Sequence, residues 1–207
     1  MSSKLIKVCG MREAENIRAV EALGVDWLGF IFWPGSSRYV SELPAYLPEK
    51  AKRVGVFVDA EPADVLTHVV DYRLDFVQLH GHESADYVRR LRQAGGASLR
   101  VVKAISVSSR DEVATYRSYK DVADYFLFDT KAKVPGGSGM QFDWSVLEAY
   151  DGSVPFLLSG GIGPDDAERL KTFRHPLLAG IDLNSRFELR PGLKDINKLK
   201  RFLYEQD

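Results

Sequence analysis

Two titratable side chains stand at points of this sequence where proton chemistry can be placed. Cys9 ends the short apolar run KLIKVC, and Asp129 ends the run DYFLFD much later in the chain. A thiol and a carboxyl that face one cavity can both exchange protons with a bound molecule. Plainer explanations compete with this one, because a single cysteine is often a small buried hydrophobic residue and an aspartate after a strand is often a helix cap.

Glycine-rich and polar turns follow the apolar runs in the second half of the chain. The segment SGGIGPDD (159–166) precedes a helical stretch, and its glycines let backbone N–H groups approach a phosphate. DLNSR (182–186) follows the last run, and VPGGSGMQFDW (134–144) follows Asp129 as a loop that could close over a ligand. Ordinary turns use the same residues, but two such loops together favour phosphate binding.

Two further polar residues are ambiguous when they are considered singly. Arg38, in FIFWPGSSRYV, could bind a carboxylate through two parallel hydrogen bonds, although a solvated loop arginine explains it equally simply. His80, in VQLHG, is either a catalytic residue or a histidine whose hydrogen bonds are satisfied within the protein.

The single cysteine and the four scattered histidines do not form a convincing ligand set, so the sequence predicts no metal site. It also contains no motif for a nucleotide cofactor or a serine nucleophile.

Eight short apolar runs, separated by amphipathic stretches, must position these residues. The predicted strands cover residues 4–9, 26–32, 52–59, 74–80, 99–105, 124–129, 154–159 and 175–182. The amphipathic stretches include residues 12–24, 61–73, 84–95 and 164–173. This alternation predicts an α/β protein with a parallel sheet. Eight units without a linker favour a closed (β/α)8 TIM barrel, one domain over residues 1–207, rather than an open doubly wound sheet.

Strand geometry predicts which side chains point into such a barrel. Side chains alternate along a strand, so Lys7 and Cys9 share a face. A lysine is poorly suited to the apolar helix layer, and we therefore expect both to point inward. By the same rule Phe126 and Phe128 face the helices and Asp129 faces inward. Active sites of these barrels lie at the carboxyl ends of the strands, and the loops after strands seven and eight commonly bind phosphate.

The composition excludes other classes of function. The chain has 207 residues, 28 basic and 29 acidic side chains and a net charge of -1. No run of Lys and Arg is typical of nucleic-acid binding, and no stretch approaches the ~20 apolar residues of a membrane span. One cysteine and the absence of a signal-peptide core predict a cytoplasmic protein. We expect a small phosphorylated molecule as partner, with neither nucleic acid nor membrane, and either a monomer or a homodimer.

Taken together, the motifs resemble one family, phosphoribosylanthranilate isomerase of tryptophan biosynthesis. The motifs are KVCGMR, GFIFWPGSSRYV, VGVFVD, VQLHG, FLFDT with GGSGMQFDW, LSGGI, and GIDLNSRFE with PGLKD. They run in this order from residue 7 to residue 195, so the resemblance covers nearly the whole chain. It implies a TIM barrel that catalyses an Amadori rearrangement. N-(5-phosphoribosyl)anthranilate would become 1-(2-carboxyphenylamino)-1-deoxyribulose 5-phosphate, without a metal or an organic cofactor.

The resemblance also implies the residues that transfer protons. Asp129 corresponds to the general acid that protonates the furanose ring oxygen as the ring opens to a Schiff base. Cys9 corresponds to the general base that removes the proton from the ribose C2 carbon. A free thiol has a pKa of about 8.5 and is a sparse base at neutral pH. Lys7, two residues away on the same face, is expected to lower that pKa.

The remaining roles concern substrate binding. Arg38 corresponds to the arginine at the anthranilate end, and Asp182 to a substrate-facing aspartate. Lys7 and His80 are placed at the same substrate site. The phosphate site is implied for Gly160, Gly161, Asn184, Ser185 and Arg186.

Arg186 departs from the family pattern, in which a glycine is common after the serine. This arginine could bind the phosphate or point into solvent. Among other barrels, a ribulose-phosphate epimerase would need a metal-binding His/Asp set that is not found. The related isomerase of histidine biosynthesis has aspartates at the ends of strands one and five, where this chain has Cys9 and AISVSS. A barrel that only senses a phosphorylated metabolite would need neither Cys9 nor Asp129.

Overall fold

The computed structural model describes residues 4–96, 98–130 and 143–206, and it confirms the predicted (β/α)8 barrel. Eight parallel strands close in sequence order. They are β1 (Leu5–Cys9), β2 (Trp27–Ile31), β3 (Lys52–Phe57), β4 (Phe76–Leu79), β5 (Arg100–Val107), β6 (Tyr125–Thr130), β7 (Phe156–Ser159) and β8 (Leu178–Leu183). The barrel closes where β1 pairs with β8, and there Lys7 lies opposite Asp182.

The amphipathic stretches form the outer layer of helices. These are α1 (Ala14–Glu21), α2 (Pro62–Asp71), α3 (Ala85–Gly95), α4 (Arg110–Val113), α5 (Ala167–Thr172) and α6 (Ile196–Gln206). Shorter 3-10 helices cover Ala114–Ser118, Trp144–Ala149, Pro164–Asp166 and Ser185–Phe187, and β9 (Glu188–Arg190) pairs with β10 (Leu193–Lys194) as a small antiparallel ribbon. All four amphipathic stretches identified in the sequence are therefore helical. No helix in the described ranges is long and apolar enough to cross a membrane.

The eight units are not equal, because the connection from β2 to β3 has no helix. Residues 32–51 form turns and irregular backbone. Pro34, Pro44 and Pro48 lie in this segment, and proline interrupts a helix by removing a backbone donor and clashing with the preceding turn. The connection instead returns along the barrel wall, where the N–H of Val40 donates to the Ile31 carbonyl at 2.9 Å. This path brings Arg38 back toward the end of the strands.

The barrel wall separates two apolar cores. The inner core includes Trp27, Phe76 and Leu127, and the Trp27 and Phe76 rings stack with centroids 4.2 Å apart. The outer core, between strands and helices, includes Phe126 and Phe128, as the alternation predicts. Burying a side chain of this size contributes roughly 1.5–3 kcal/mol, so both cores stabilise the closed sheet.

A polar layer lies in the barrel nearer the carboxyl ends of the strands. Its buried members include Lys7, Gln78 and Asp182. Each occupies the position that alternation turns inward on its strand. The interior therefore changes from apolar to polar along the barrel axis, so that polar side chains lie beneath the loops at the carboxyl ends of the strands.

Candidate active site

A polar cavity of about 200 Å³ opens at the carboxyl ends of the strands. Most of the site residues predicted from the sequence line it: Cys9, His80, Asp129, Gly160, Gly161, Asp182, Asn184 and Ser185. Lys7, Arg38 and Arg186 are not among the lining residues. The structure thus brings the thiol and the carboxyl together at one cavity, although they lie on β1 and β6, which are separated by two strands in the closed barrel.

Cys9 is held at the end of β1 with only 4% of its surface exposed. Its neighbour on β2 is Gly29, directly opposite in register. A Cβ atom at that glycine would lie 2.7 Å from the Cys9 sulfur, closer than atoms can pack. Glycine on β2 therefore makes room for the thiol at the cavity wall.

An ion pair lies beneath the thiol. Lys7 Nζ donates to Asp182 Oδ1 at 2.8 Å, and Ser159 Oγ donates to Asp182 Oδ2 at 3.3 Å. Lys7 is fully buried, and burial alone would lower its pKa, but the Asp182 carboxylate, and Cys9 when it is ionised, raise the pKa above its ordinary value. The lysine is therefore charged, and its charge is compensated by the aspartate.

The environment of Cys9 combines the predicted effect of Lys7 with a larger effect of burial in the opposite direction. Burial raises the pKa of the Cys9 thiol, and the nearby Asp182 carboxylate raises it further. Lys7 acts in the opposite direction, as expected, but its effect does not outweigh burial. The pKa of Cys9 is therefore raised overall although Lys7 acts in the predicted direction, and the thiol holds its proton at neutral pH.

Asp129 has a histidine beside it. His80 Nε2 lies 3.4 Å from Asp129 Oδ2, and Gln78 Nε2 lies 3.2 Å from His80 Nδ1. Gln78 lines the cavity and was not identified from the sequence, although it precedes His80 by two positions and so shares its inward face. Its Oε1 atom is buried and has no hydrogen-bond partner among the described residues. A bound ligand with a donor group would satisfy it.

The turns after β7 and β8 form the opposite wall. Gly160 and Gly161 have φ angles of +97° and +69°, which glycine adopts without strain. Asn184 and Ser185 follow β8 and line the same cavity. Arg186 is exposed at the rim, and its Cβ and Cγ lie 3.6 Å from the place where a side chain on Gly163 would begin. Residues 134–142 of the glycine-rich loop expected to cover the ligand lie outside the described residues.

Arg38 lies beside the cavity and is already paired. Its Nε and Nη2 atoms donate to the carboxylate of Glu188, with the shortest contact at 2.6 Å. Lys194 Nζ donates to the same carboxylate at 2.7 Å. Glu188 and Lys194 lie within the motifs GIDLNSRFE and PGLKD, but strand alternation gives no reason to single them out. Among the described residues, no group of three or more His, Cys, Asp or Glu side chains has the arrangement of a metal site.

The fold and the position of this cavity define the class of protein, a TIM-barrel enzyme with its active site at the carboxyl ends of the strands. The model of one family, N-(5'-phosphoribosyl)anthranilate (PRA) isomerase, matches residues 6–205. The chain belongs to this isomerase family.

Individual relatives agree with the family model. The N-(5'-phosphoribosyl)anthranilate isomerase of Parabacteroides distasonis is 47% identical over 207 residues, covering 97% of this chain and 92% of that protein. A crystal structure of phosphoribosyl anthranilate isomerase in complex with reduced 1-(o-carboxyphenylamino)-1-deoxyribulose 5-phosphate has a TM-score of 0.81, with 30% identity and 98% coverage of both chains. Monomers generated from the dimeric Thermotoga maritima enzyme give a TM-score of 0.79, with 29% identity and 98% coverage of both chains.

Proposed function

We propose that this chain converts N-(5-phosphoribosyl)anthranilate to 1-(2-carboxyphenylamino)-1-deoxyribulose 5-phosphate, with Asp129 as the general acid and Cys9 as the general base. Membership of the PRA isomerase family supports the reaction and its place in tryptophan biosynthesis. The observation that supports the assignment of residues is that Cys9 and Asp129 line one cavity, together with the turns after β7 and β8.

The proposed reaction begins at Asp129. Its carboxyl proton goes to the furanose ring oxygen, and the bond from that oxygen to C1 breaks. The nitrogen lone pair completes a C=N bond, which leaves a positively charged iminium. Cys9 then removes the proton from C2, and the electrons of that bond form the C1=C2 bond of an enolamine and neutralise the nitrogen. Tautomerisation of the enolamine gives the ketone.

The raised pKa of Cys9 is compatible with this order of events. Before ring opening, the buried thiol holds its proton. The iminium adds a positive charge in the same cavity, and an opposite charge within about 4–6 Å favours the ionised form of a group. The thiol then loses its proton to solvent, and the resulting thiolate takes the C2 proton, which the iminium has made acidic. Lys7 provides a fixed positive charge beneath Cys9 throughout.

The remaining groups account for binding. The turns at Gly160–Gly161 and Asn184–Ser185 would hold the phosphate, with Arg186 at the rim. Arg38 would bind the anthranilate carboxylate, and His80 would orient the carboxyl group of Asp129. Asp182 would present its carboxylate at the floor of the cavity, where it lies among the lining residues.

The direct test is to incubate the purified protein with phosphoribosylanthranilate and identify the product, with and without a chelator. Asp129→Asn keeps the shape of the acid but removes its proton, and we expect kcat to fall at least ~10²-fold. Asp59→Asn is the matched control, because Asp59 follows β3, is half exposed and pairs with His82. Near-normal turnover by Asp129→Asn would remove that residue from the mechanism.

A second test addresses the base. Cys9→Ser replaces the titratable thiol with a hydroxyl that stays protonated, and the variant should be folded but nearly inactive. Thiol alkylation should inactivate the native enzyme, and a product analogue should protect it. Full activity after complete modification of Cys9, verified by mass spectrometry, would show that another group acts as the base.

A further inference from the structure

Glu188 is the centre of a hydrogen-bonded cluster that includes Arg38 and extends to Asn184, a residue that lines the cavity. Its side chain is 5% exposed, and it accepts hydrogen bonds from Arg38 Nε and Nη2, from Lys194 Nζ at 2.7 Å and from the Gly192 N–H at 3.1 Å. Lys194 Nζ also donates to Asn184 Oδ1 at 2.8 Å. We call Arg38, Glu188, Lys194 and Asn184 the Glu188 cluster.

The hydrogen bonds of Glu188 leave one edge of the Arg38 guanidinium available. A guanidinium can bind carboxylates in two-point fashion along more than one edge. Glu188 occupies the edge formed by Nε and Nη2, at 2.9 and 2.6 Å. In the described part of the chain no hydrogen bond is found for Nη1. The edge formed by Nη1 and the second Nη2 hydrogen can therefore bind a second carboxylate.

The stem of Arg38 passes next to the catalytic strand. A Cβ atom at Gly10, the residue after Cys9, would lie 2.6 Å from Arg38 Cδ and 2.9 Å from Asn184 Oδ1. Gly10 has a φ angle of +79°, which glycine tolerates. The backbone after Cys9 thus allows Arg38 to cross over the end of β1, beside residues that line the cavity.

The charges of the Glu188 cluster favour an anion. Burial would raise the pKa of Glu188, but hydrogen bonds from Arg38 and Lys194 outweigh it and lower the pKa, so the carboxylate is ionised. Burial lowers the pKa of Lys194, and its hydrogen bond to Glu188 opposes that effect. With Lys194 protonated, the cluster holds two positive groups and one negative group. The net charge of the cluster is then positive, and the hydrogen bonds to Glu188 leave Nη1 of Arg38 as a donor for an anionic ligand.

The cluster is also rigid. Lys194 is fixed through its backbone, because its N–H donates to Asn16 Oδ1 at 2.8 Å and its carbonyl accepts from Asn16 Nδ2 at 2.9 Å. Asn16 belongs to α1, so the helix layer holds Lys194, which holds Glu188. A guanidinium oriented before the ligand arrives loses less conformational entropy when it binds.

We propose that Glu188, held by Lys194, is a positioning residue that presents the available edge of Arg38 to the anthranilate carboxylate of the substrate. The proposal rests on the function inferred above, in which Arg38 binds that carboxylate. It adds a reason for the buried Glu188–Lys194 pair, which touches neither the ribose nor the reacting atoms in the proposed mechanism.

The test compares two ligands that differ only in the carboxylate. One is the reduced form of 1-(o-carboxyphenylamino)-1-deoxyribulose 5-phosphate. The other is the same molecule with aniline in place of anthranilate, so that only the carboxylate is missing. Calorimetric Kd values are measured for the native protein, Glu188→Gln and the control Glu13→Gln. Glu13 also pairs with an arginine, Arg190, at 2.8 Å, but the pair is exposed.

The expected pattern is specific to the carboxylate. Glu188→Gln should weaken the carboxylate ligand about tenfold, the loss of roughly one charged hydrogen bond, while the aniline ligand changes less than about twofold. KM for the substrate should rise by a similar factor with kcat within a few-fold. Glu13→Gln should resemble the native protein with both ligands. Glu188→Asp keeps the charge on a shorter side chain, and it should lose less carboxylate affinity than Glu188→Gln.

Each contrary result has a separate meaning. Equal losses for both ligands in a folded Glu188→Gln or Glu188→Asp protein would overturn the positioning role and leave Glu188 as a structural group. Unchanged binding of both ligands would overturn it as well. If the native protein bound both ligands equally, the carboxylate role of Arg38 in the proposed function would fail first, and this inference with it. Circular dichroism of each variant identifies any that does not fold.

Discussion

Two buried lysine–carboxylate pairs lie on opposite sides of the barrel wall. Lys7 and Asp182 pair at 2.8 Å inside the barrel, and Lys103 and Glu83 pair at 2.8 Å behind β5. All four side chains are at most 7% exposed. By distance and burial the two pairs are nearly indistinguishable.

Their surroundings separate them. Lys103 Nζ also donates to the carbonyls of Leu79 and Gly81, and Glu83 accepts the N–H groups of Asp59 and Gly81. Every one of these bonds fixes the backbone at the end of β4 or in the turns after β3 and β4. The pair inside the barrel instead lies beneath Cys9, and Asp182 lines the cavity. The length of an ion pair therefore says little about its function, whereas the groups around it distinguish a structural pair from one at an active site.

The largest expected effect concerns stability at the outer pair. Lys103→Met leaves Glu83 charged and buried without its partner, which should lower the free energy of unfolding by about 3–5 kcal/mol. Lys7→Met should cost less, because Asp182 lines the cavity and water can reach its carboxylate. Urea unfolding measures both. Lys52→Met is the control, since its pair with Asp75 is exposed and worth at most about 1 kcal/mol. A Lys7→Met protein less stable than Lys103→Met would contradict this ranking.

The next effect concerns catalysis at the inner pair. Asp182→Asn leaves the charge of Lys7 uncompensated at the cavity floor, and we expect kcat/KM to fall about 10²-fold, as for other preorganised electrostatic groups. Glu83→Gln should keep kcat/KM within several-fold of the native value when the assay temperature is well below its Tm. Steady-state kinetics of the two variants shows which of the two pairs contributes to catalysis. A larger loss of activity in Glu83→Gln would reverse the comparison.

Much of this arrangement could be predicted from the sequence, for identifiable reasons. Alternation along β1 and β6 placed Lys7, Cys9 and Asp129 inside the barrel, from the preference of a lysine to avoid the helix layer and of two phenylalanines to face it. The first preference is not general, because Lys103 is buried behind β5 through its pair with Glu83. The roles of Cys9 and Asp129 came from the family resemblance instead. The partner of each lysine was not predictable, because contacts such as Lys103 with Glu83 depend on how a loop folds back over its strand.

The path of the connection from β2 to β3 could not be predicted from the sequence either. Its prolines oppose a helix, but they do not specify the path that carries Arg38 to Glu188, 150 residues later in the chain. The pKa of Cys9 also depends on burial and on residues that are distant from it in the sequence. Lys7 was identified as a neighbour that lowers it, while the burial and the Asp182 carboxylate that raise it became evident only in the structure.

A smaller effect concerns the reactivity of the thiol. Burial raises the pKa of Cys9, so the rate of alkylation by iodoacetamide in the empty enzyme should keep increasing above the usual thiol pKa of about 8.5. Lys7→Met removes a group that opposes this shift and should slow alkylation at pH 8 several-fold, because a smaller fraction of the thiol is then ionised. Lys103→Met should react at the native rate. Equal rates in the native and Lys7→Met proteins would show that Lys7 has no electrostatic effect on Cys9.

The smallest expected effect concerns Arg186, an exposed cation that contrasts with both buried pairs. It forms no ion pair within the described residues, and its stem packs next to Gly163 at the rim of the cavity. A phosphate carries nearly two negative charges at neutral pH, and a guanidinium can offer it two parallel donors. Arg186→Gly should therefore raise KM several-fold while kcat stays within a few-fold, because binding is lost equally in the ground state and the transition state. Since an exposed ion pair is screened by salt, added salt should weaken substrate binding more in the native protein than in the variant. The same KM and the same response to salt in both proteins would show that Arg186 points away from the phosphate.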